Sequence, residues 1–246
     1  MRKWGGIILG GLAGVSLAAS SSAQPGQGEA RFEGEPVVVE LFTAQGCSAC
    51  PDANRLVEDL ATRPGVIALT YAVDYWDYLG WSDTFAKPAF AERQRDYQDK
   101  LGLRAVYTPQ VIIDGRMQLS GASAPEVTAA IEAEAAARRW PPEVEFRANR
   151  SGVGVGSGTA PKGGADVWLV RYEPGAQVVE VRDGENRGLE VRHVNVVRTV
   201  ERLGDWTGQA VFFALPEDVA DAGGLAVLVQ AREGGRILAA EVDAAA

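Results

Sequence analysis

The chain of 246 residues has two cysteines, and they stand together as Cys47-Ser48-Ala49-Cys50. Two thiols at this spacing have few uses. They can open and close as a dithiol–disulfide couple, lock a turn as a static disulfide, or form half of a metal site. A structural zinc takes four Cys or His ligands, and the chain has one His besides its two Cys, so no metal site is expected. A static disulfide closing so small a loop stabilises little, because the entropic gain grows with loop length. The spacing therefore points first to thiol–disulfide exchange.

Exchange needs elements that place the sulfurs. Val37 to Phe42 is an apolar, β-branched run that reads as a buried strand. Pro51 suits the first turn of a helix directly after the second cysteine. The unpaired N–H groups at a helix start carry partial positive charge. A thiolate at Cys47 would be stabilised there, below the free value of about 8.5. Cys47 thus reads as the attacking thiol and Cys50, one turn later, as the resolving thiol. This reading requires a sulfur open to solvent.

Further groups could flank the pair. Thr108-Pro109 precedes the apolar run Val111 to Ile113. A proline gives no N–H to a sheet and belongs at the first residue or edge of a strand. Cis and trans forms of its peptide bond are both open from the residues alone. The cis form would turn the Thr108 backbone toward the thiols, so Pro109 must lie on the cysteine side. Aromatics crowd the stretch from Tyr71 to Phe90. Tyr75 and Trp76 are candidates for an apolar platform that receives a partner; the plainer alternative is a loop packed by its own rings. Asp74 could take a proton near the thiols, or be a solvated carboxylate.

Between these groups the elements follow in order. A helix is expected over Asp52 to Thr62, a strand over Val66 to Val73, and a helix over Pro88 to Leu101 whose charged residues Arg93, Arg95, Asp96, Asp99 and Lys100 form a solvated face. A strand follows Pro109, then a turn at Asp114-Gly115 and a returning strand. Ser123-Ala124-Pro125-Glu126 has the form of a capping box and opens a last helix to about Arg139.

That order, with the cysteines opening the first helix and Thr-Pro before the third strand, resembles the thioredoxin fold over about residues 35 to 139. Leu41 to Pro51, Val73 to Trp81, Val106 to Gln110, Gly184 to Gly188 and Asn195 to Arg198 more closely resemble DUF1223, an exported bacterial family of unknown function with a thioredoxin-like N-terminal domain. The resemblance implies Cys47 as attacking thiol, Cys50 as resolving thiol, and Pro109 as a cis proline. Trp is absent before the first cysteine, and Ser48-Ala49 stands where ordinary thioredoxins have Gly-Pro.

Beyond Pro141-Pro142 the chain turns Gly- and Val-rich, with short strand-like runs separated by turns. This reads as an all-β sandwich-like domain over 143–246 after a thioredoxin-like α/β domain over 35–140. Its distinctive loop, Gly184-Glu185-Asn186-Arg187-Gly188, reads as a turn in which Arg187 pairs with Glu185, or as a polar patch near the cysteines. His193 reads as a satisfied partner within a sheet.

Met1-Arg2-Lys3, the apolar run Ile7 to Ala19 and Ser21-Ser22-Ala23 have the pattern of a cleaved signal peptide over 1–23, followed by a loose leader over 24–34. A periplasmic or secreted location is expected, where a disulfide persists. The net charge of −9 argues against nucleic acid as a partner. The expected function is an exported thiol–disulfide oxidoreductase without a cofactor, acting on protein thiols or disulfides and coupled to a membrane or periplasmic redox donor. The alternatives are a non-enzymatic binding or scaffold protein with a static disulfide, and a copper-handling thioredoxin relative, since two thiolates suit Cu(I).

Overall fold

The structure is a computed structural model that describes Met1 and residues 34–138, 140–219 and 223–244. The expected signal peptide (1–23) and leader (24–34) lie outside these residues, apart from Met1 and Gly34. Strand β1 (Val37–Thr43) is buried along its whole length. Val37, Val39 and Leu41 face one core, while Val38 and Phe42 face another. A strand covered on both sides reads as a continuous apolar run rather than an alternation.

Helix α1 (Cys50–Ala61) begins with Pro51 in its first turn and buries Ala53, Val57 and Leu60. Strand β2 (Val66–Ala72) returns parallel to β1, with Val66 opposite Val37. Helix α2 (Pro88–Leu101) ends at Gly102, whose φ of 64° gives the left-handed stop that glycine adopts without cost. Strand β3 (Gln110–Ile113) pairs antiparallel with β1, and β4 (Met117–Ser120) pairs with β3. Helix α3 (Ala124–Ala137) follows. Ser123 is its N-cap residue, but the Ser123 side chain makes no capping hydrogen bond, so the expected capping box is not formed.

The second half adds β5 (Val144–Phe146), β6 (Gly152–Val155), β7 (Ala165–Glu180), β8 (Glu190–Trp206), β9 (Val211–Ala214), β10 (Gly224–Ala231) and β11 (Ile237–Ala244). Among the described residues there is one eight-stranded mixed sheet, in the order β11-β10-β7-β8-β2-β1-β3-β4, and a small sheet β5-β6-β9. Strand β8 joins the halves by pairing parallel with β2 at Thr70 and Val196.

This corrects the expectation of a separate sandwich after Pro141-Pro142. The described residues from 34 onward form one unit, and the large sheet crosses the expected boundary. The physical reason lies in β10, which is buried at every position. Leu225, Val227 and Val229 pack against the small sheet, whereas Ala226 and Leu228 join Phe42, Leu69 and Phe90 of the first half. Strand β10 therefore needs a cover on each side, and the first half supplies one of them. Gly115, with φ 64°, lies so close to Gly235 that a Cβ would sit 2.0 Å from its carbonyl oxygen, which leaves no room there for any other residue. Pro174-Gly175 falls at a bulge inside the long β7–β8 hairpin.

One part of α2 also departs from expectation. Arg93 is not on a solvated face. Its Nε donates to Glu40 in the middle of β1 at 2.7 Å, and their side chains are 8% and 0% exposed. Tyr97 donates to the same carboxylate.

Candidate functional site

Strand β1 ends at Thr43, and the chain reaches α1 through two tight turns. The Cys47 N–H donates to the Ala44 carbonyl at 3.2 Å, and the Cys50 N–H to the Cys47 carbonyl at 3.1 Å. Cys47 and Cys50 are joined as a disulfide with Cα atoms 5.4 Å apart. Among the described residues no cluster of three or more His, Cys, Asp or Glu could hold a metal.

Ser48 and Ala49 are exposed, but Cys47 is 1% and Cys50 0% exposed. The expectation that a sulfur would be open to solvent is overturned. The pair belongs to the apolar cluster of Phe42, Ala44 and Val73, and Tyr75 and Trp76 pack against that cluster half-buried. A Cβ on Gly46 would lie 3.7 Å from the Trp76 Cβ. Trp76 Nε1 donates to the Thr108 hydroxyl at 2.8 Å, so Trp76 spans from the cysteine loop to Thr108. The Thr108–Pro109 peptide bond is cis. A Cβ on Gly121 would meet Ala53, one turn past Cys50 in α1, at 2.6 Å and Pro109 at 3.2 Å. Pro109 therefore lies on the cysteine side. The Tyr75 hydroxyl bonds Gln94, and burial pushes its pKa up to about 12.

Sequence reasoning missed how the loop before Cys47 is fastened. The Gln45 N–H donates to Asp83 at 2.6 Å, and the Gln45 side chain bonds Trp81 at 2.8 Å and Thr84 at 2.9 Å. Asp83 also accepts from the Phe85 N–H. Burial pushes its carboxyl up to about 6, opposed by those two amides. The carboxylate bonded to this loop is thus Asp83 rather than Asp74. The signal was present in Trp81-Ser82-Asp83-Thr84, because an Asp that bonds the amide two residues on makes its own turn.

The second half closes the other side. The turn between β7 and β8 lies against the cysteine loop. Asn186, 2% exposed, donates from Nδ2 to the Gln45 and Cys47 carbonyls, both at 2.8 Å. A carboxylate oxygen of Glu185 accepts from the Ser48 N–H at 3.2 Å and from the Ser48 hydroxyl at 2.7 Å. Gly184, at φ 77°, approaches so near that a Cβ there would lie 3.8 Å from the Gly46 Cα. Glu185 therefore pairs with Ser48, not with Arg187 as the simple-turn reading expects. His193 is also not a satisfied partner. It is buried against Phe85, with ring centroids 5.4 Å apart, and neither ring nitrogen has a hydrogen-bond partner of ordinary geometry.

Fold and site together define a mixed α/β protein with a buried Cys-x-x-Cys disulfide at a helix entrance, clamped by a hairpin from the distal half. The chain belongs to DUF1223, a family of proteins of unknown function, whose profile matches residues 38–230. It is similar to a structural-genomics crystal structure of a protein from Agrobacterium tumefaciens, with 31% identity, TM-score 0.74, and coverage of 85% of this chain and 94% of that one. The fold is also similar to that of HBP35 of Porphyromonas gingivalis, at 12% identity and TM-score 0.56, over 86% of this chain and 75% of that one. No curated protein matches the chain.

Proposed function

We propose that the protein is an exported thiol–disulfide oxidoreductase on a thioredoxin-like arrangement, exchanging Cys47–Cys50 with protein thiols or disulfides under the control of its β7–β8 turn. The observation that carries this reading is the anion already held at the entrance to α1. The Ser48 amide, next in the chain after Cys47, binds the Glu185 carboxylate. An entrance that accepts one negative group can stabilise a thiolate. The run of β1, α1, β2, α2, β3, β4 and α3 supports the thioredoxin-like reading. The signal-peptide pattern supports export to the periplasm or beyond, and a membrane or periplasmic donor would supply electrons.

In the reaction a partner thiolate attacks the Cys47 sulfur. The Cys47–Cys50 bond breaks, and Cys50 leaves as a thiolate and takes up a proton. A second partner thiol then loses its proton and attacks the mixed disulfide, releasing Cys47 as a thiolate that takes up a proton in turn. Two electrons and two protons pass from the partner dithiol to the cysteine pair, and the reverse sequence oxidises it. Tyr75, Trp76, Thr108 and Pro109 would border the incoming chain. Since both sulfurs are buried, their cover must move before attack.

That same burial favours a second reading, a non-enzymatic scaffold with a static disulfide. One experiment separates the two. Disulfide turnover is measured for the wild type and Cys47→Ser, and the wild-type pair is equilibrated with glutathione. Exchange predicts wild-type turnover that falls to background in Cys47→Ser. A pair that stays oxidised in excess reduced glutathione, with wild type no faster than the variant, establishes the scaffold instead.

A further inference from the structure

This inference rests on the exchange reaction proposed above. Glu185 lies 137 positions from Ser48 in the chain, yet one of its carboxylate oxygens takes both the Ser48 amide and the Ser48 hydroxyl. The geometry points to Glu185 as a positioning residue that sets the balance between disulfide and dithiol, by holding the amide that a Cys47 thiolate needs.

With the disulfide closed, both sulfurs are neutral and the carboxylate occupies the amide unopposed. Those two hydrogen bonds hold the Glu185 carboxyl below its usual range, so it is charged at neutral pH. When the pair is reduced and Cys47 leaves as a thiolate, two anions compete for the same donor. The outcome is a less stable thiolate or a displaced turn, and either favours the disulfide. The turn is well placed for this because Asn186 pins it to the Gln45 and Cys47 carbonyls.

Other charged groups face this region. Asp83 is bonded to the Gln45 amide, Asp183 lies beside Gly80, and Asp52 and Arg55 pair with each other on the first turn of α1. Among the described residues Glu185 alone is bonded to the Ser48 amide.

The test uses two variants of the full mature chain. Glu185→Gln keeps an acceptor oxygen and removes the charge, whereas Glu185→Ala removes both. The dithiol–disulfide equilibrium is read against dithiothreitol, and the rate of reduction is followed by alkylation of the released thiols. In Glu185→Gln the equilibrium constant is expected to move about three- to tenfold toward the dithiol, about 15–30 mV for a two-electron couple. The shift should shrink as salt rises. Glu185→Ala is expected to show the same shift and a rate of reduction at least about threefold higher, because the latch is gone. A Glu185→Gln equilibrium within about twofold of wild type overturns the inference and leaves Glu185 as a packing contact. Dithiothreitol reduces more strongly than glutathione, so the equilibrium is read even where glutathione leaves the pair oxidised, and a pair that stays oxidised in dithiothreitol as well overturns the inference. Failure of the exchange reaction and failure of the role of Glu185 are therefore seen separately.

Discussion

Replacing Arg93 by alanine is expected to cost about 3–5 kcal/mol of folding stability, a large share of the roughly 5–15 kcal/mol that holds a domain folded. Glu40 is fully buried in β1, and its charge is answered by Arg93 at 2.7 Å and by the Tyr97 hydroxyl. Arg93 also donates to Tyr97 at 3.1 Å. It lies over the rings of Tyr71, Tyr97 and Trp168 at 5.2–5.7 Å from their centroids. Trp168 belongs to β7, and Gln230, whose side chain donates to Tyr97, belongs to β10. The cluster therefore ties the two halves of the large sheet. Arg93→Ala leaves a buried carboxylate without its counter-charge, held only by the Tyr97 hydroxyl, which is the costly way to break such a pair. The double variant Glu40→Leu, Arg93→Met removes both charges and should cost less than the single one. Urea unfolding of the three proteins checks this. A loss below about 1 kcal/mol in Arg93→Ala, or a double variant worse than the single, refutes it.

Arg93 also marks where sequence reading stops. The elements of the first half were legible, because Val37 to Phe42, Pro51, Pro88, Gly102 and Asp114-Gly115 each carry a local signal that needs no knowledge of the rest. The Cys-x-x-Cys pair and Thr108-Pro109 were legible for the same reason. Arg93 was assigned to solvent because helical spacing shows which residues share a face, not what a distant strand lays over that face. The partners that bury it come from β1, β7 and β10. The lost domain boundary has the same origin. Leu225-Ala226-Val227-Leu228-Val229 is a continuous apolar run, which is the mark of a strand covered on both sides. A two-layer sandwich covers a strand on one side and leaves the other to water, so that run already argued against an independent sandwich. Glu185 and Asn186 were noticed as a distinctive loop, but a contact across 137 positions has no local trace. The burial of Cys47 comes from its place in the apolar cluster with Phe42, Ala44 and Val73, a tertiary event that spacing does not report.

Stability between pH 4 and 6 should depend on two buried groups with opposite signs. The Asp83 carboxyl, 8% exposed, is pushed from 3.8 up to about 6 by burial. In this window the folded state binds more protons than the unfolded one, so the contribution of Asp83 is full below about pH 4 and is lost as pH rises through 6. The His193 imidazole, 1% exposed, is held from 6.5 down to about 4 by burial, against an opposing contribution from the Val191 backbone. Here the unfolded state binds more protons, so the contribution of His193 is full above about pH 6.5 and is lost as pH falls through 4. Each shift is a little over two units, or about 3 kcal/mol. In the wild type the two nearly offset each other. Asp83→Asn keeps an oxygen for the Gln45 amide and removes the titration. Relative to wild type, its stability should climb by about 2 kcal/mol between pH 4 and 6, the part of the full shift that this window spans. His193→Phe should fall by about the same amount over that range, and the double variant should run parallel to wild type. Burial also raises the carboxyls of Glu35 and Asp114, but that slope is common to all four proteins and drops out of the differences. Urea midpoints at half-unit steps of pH measure the profiles. If the Asp83→Asn and His193→Phe curves both run parallel to wild type, neither group is buried with its charge at risk, and Asp83 does not hold the cysteine loop in the way its 2.6 Å bond to Gln45 implies.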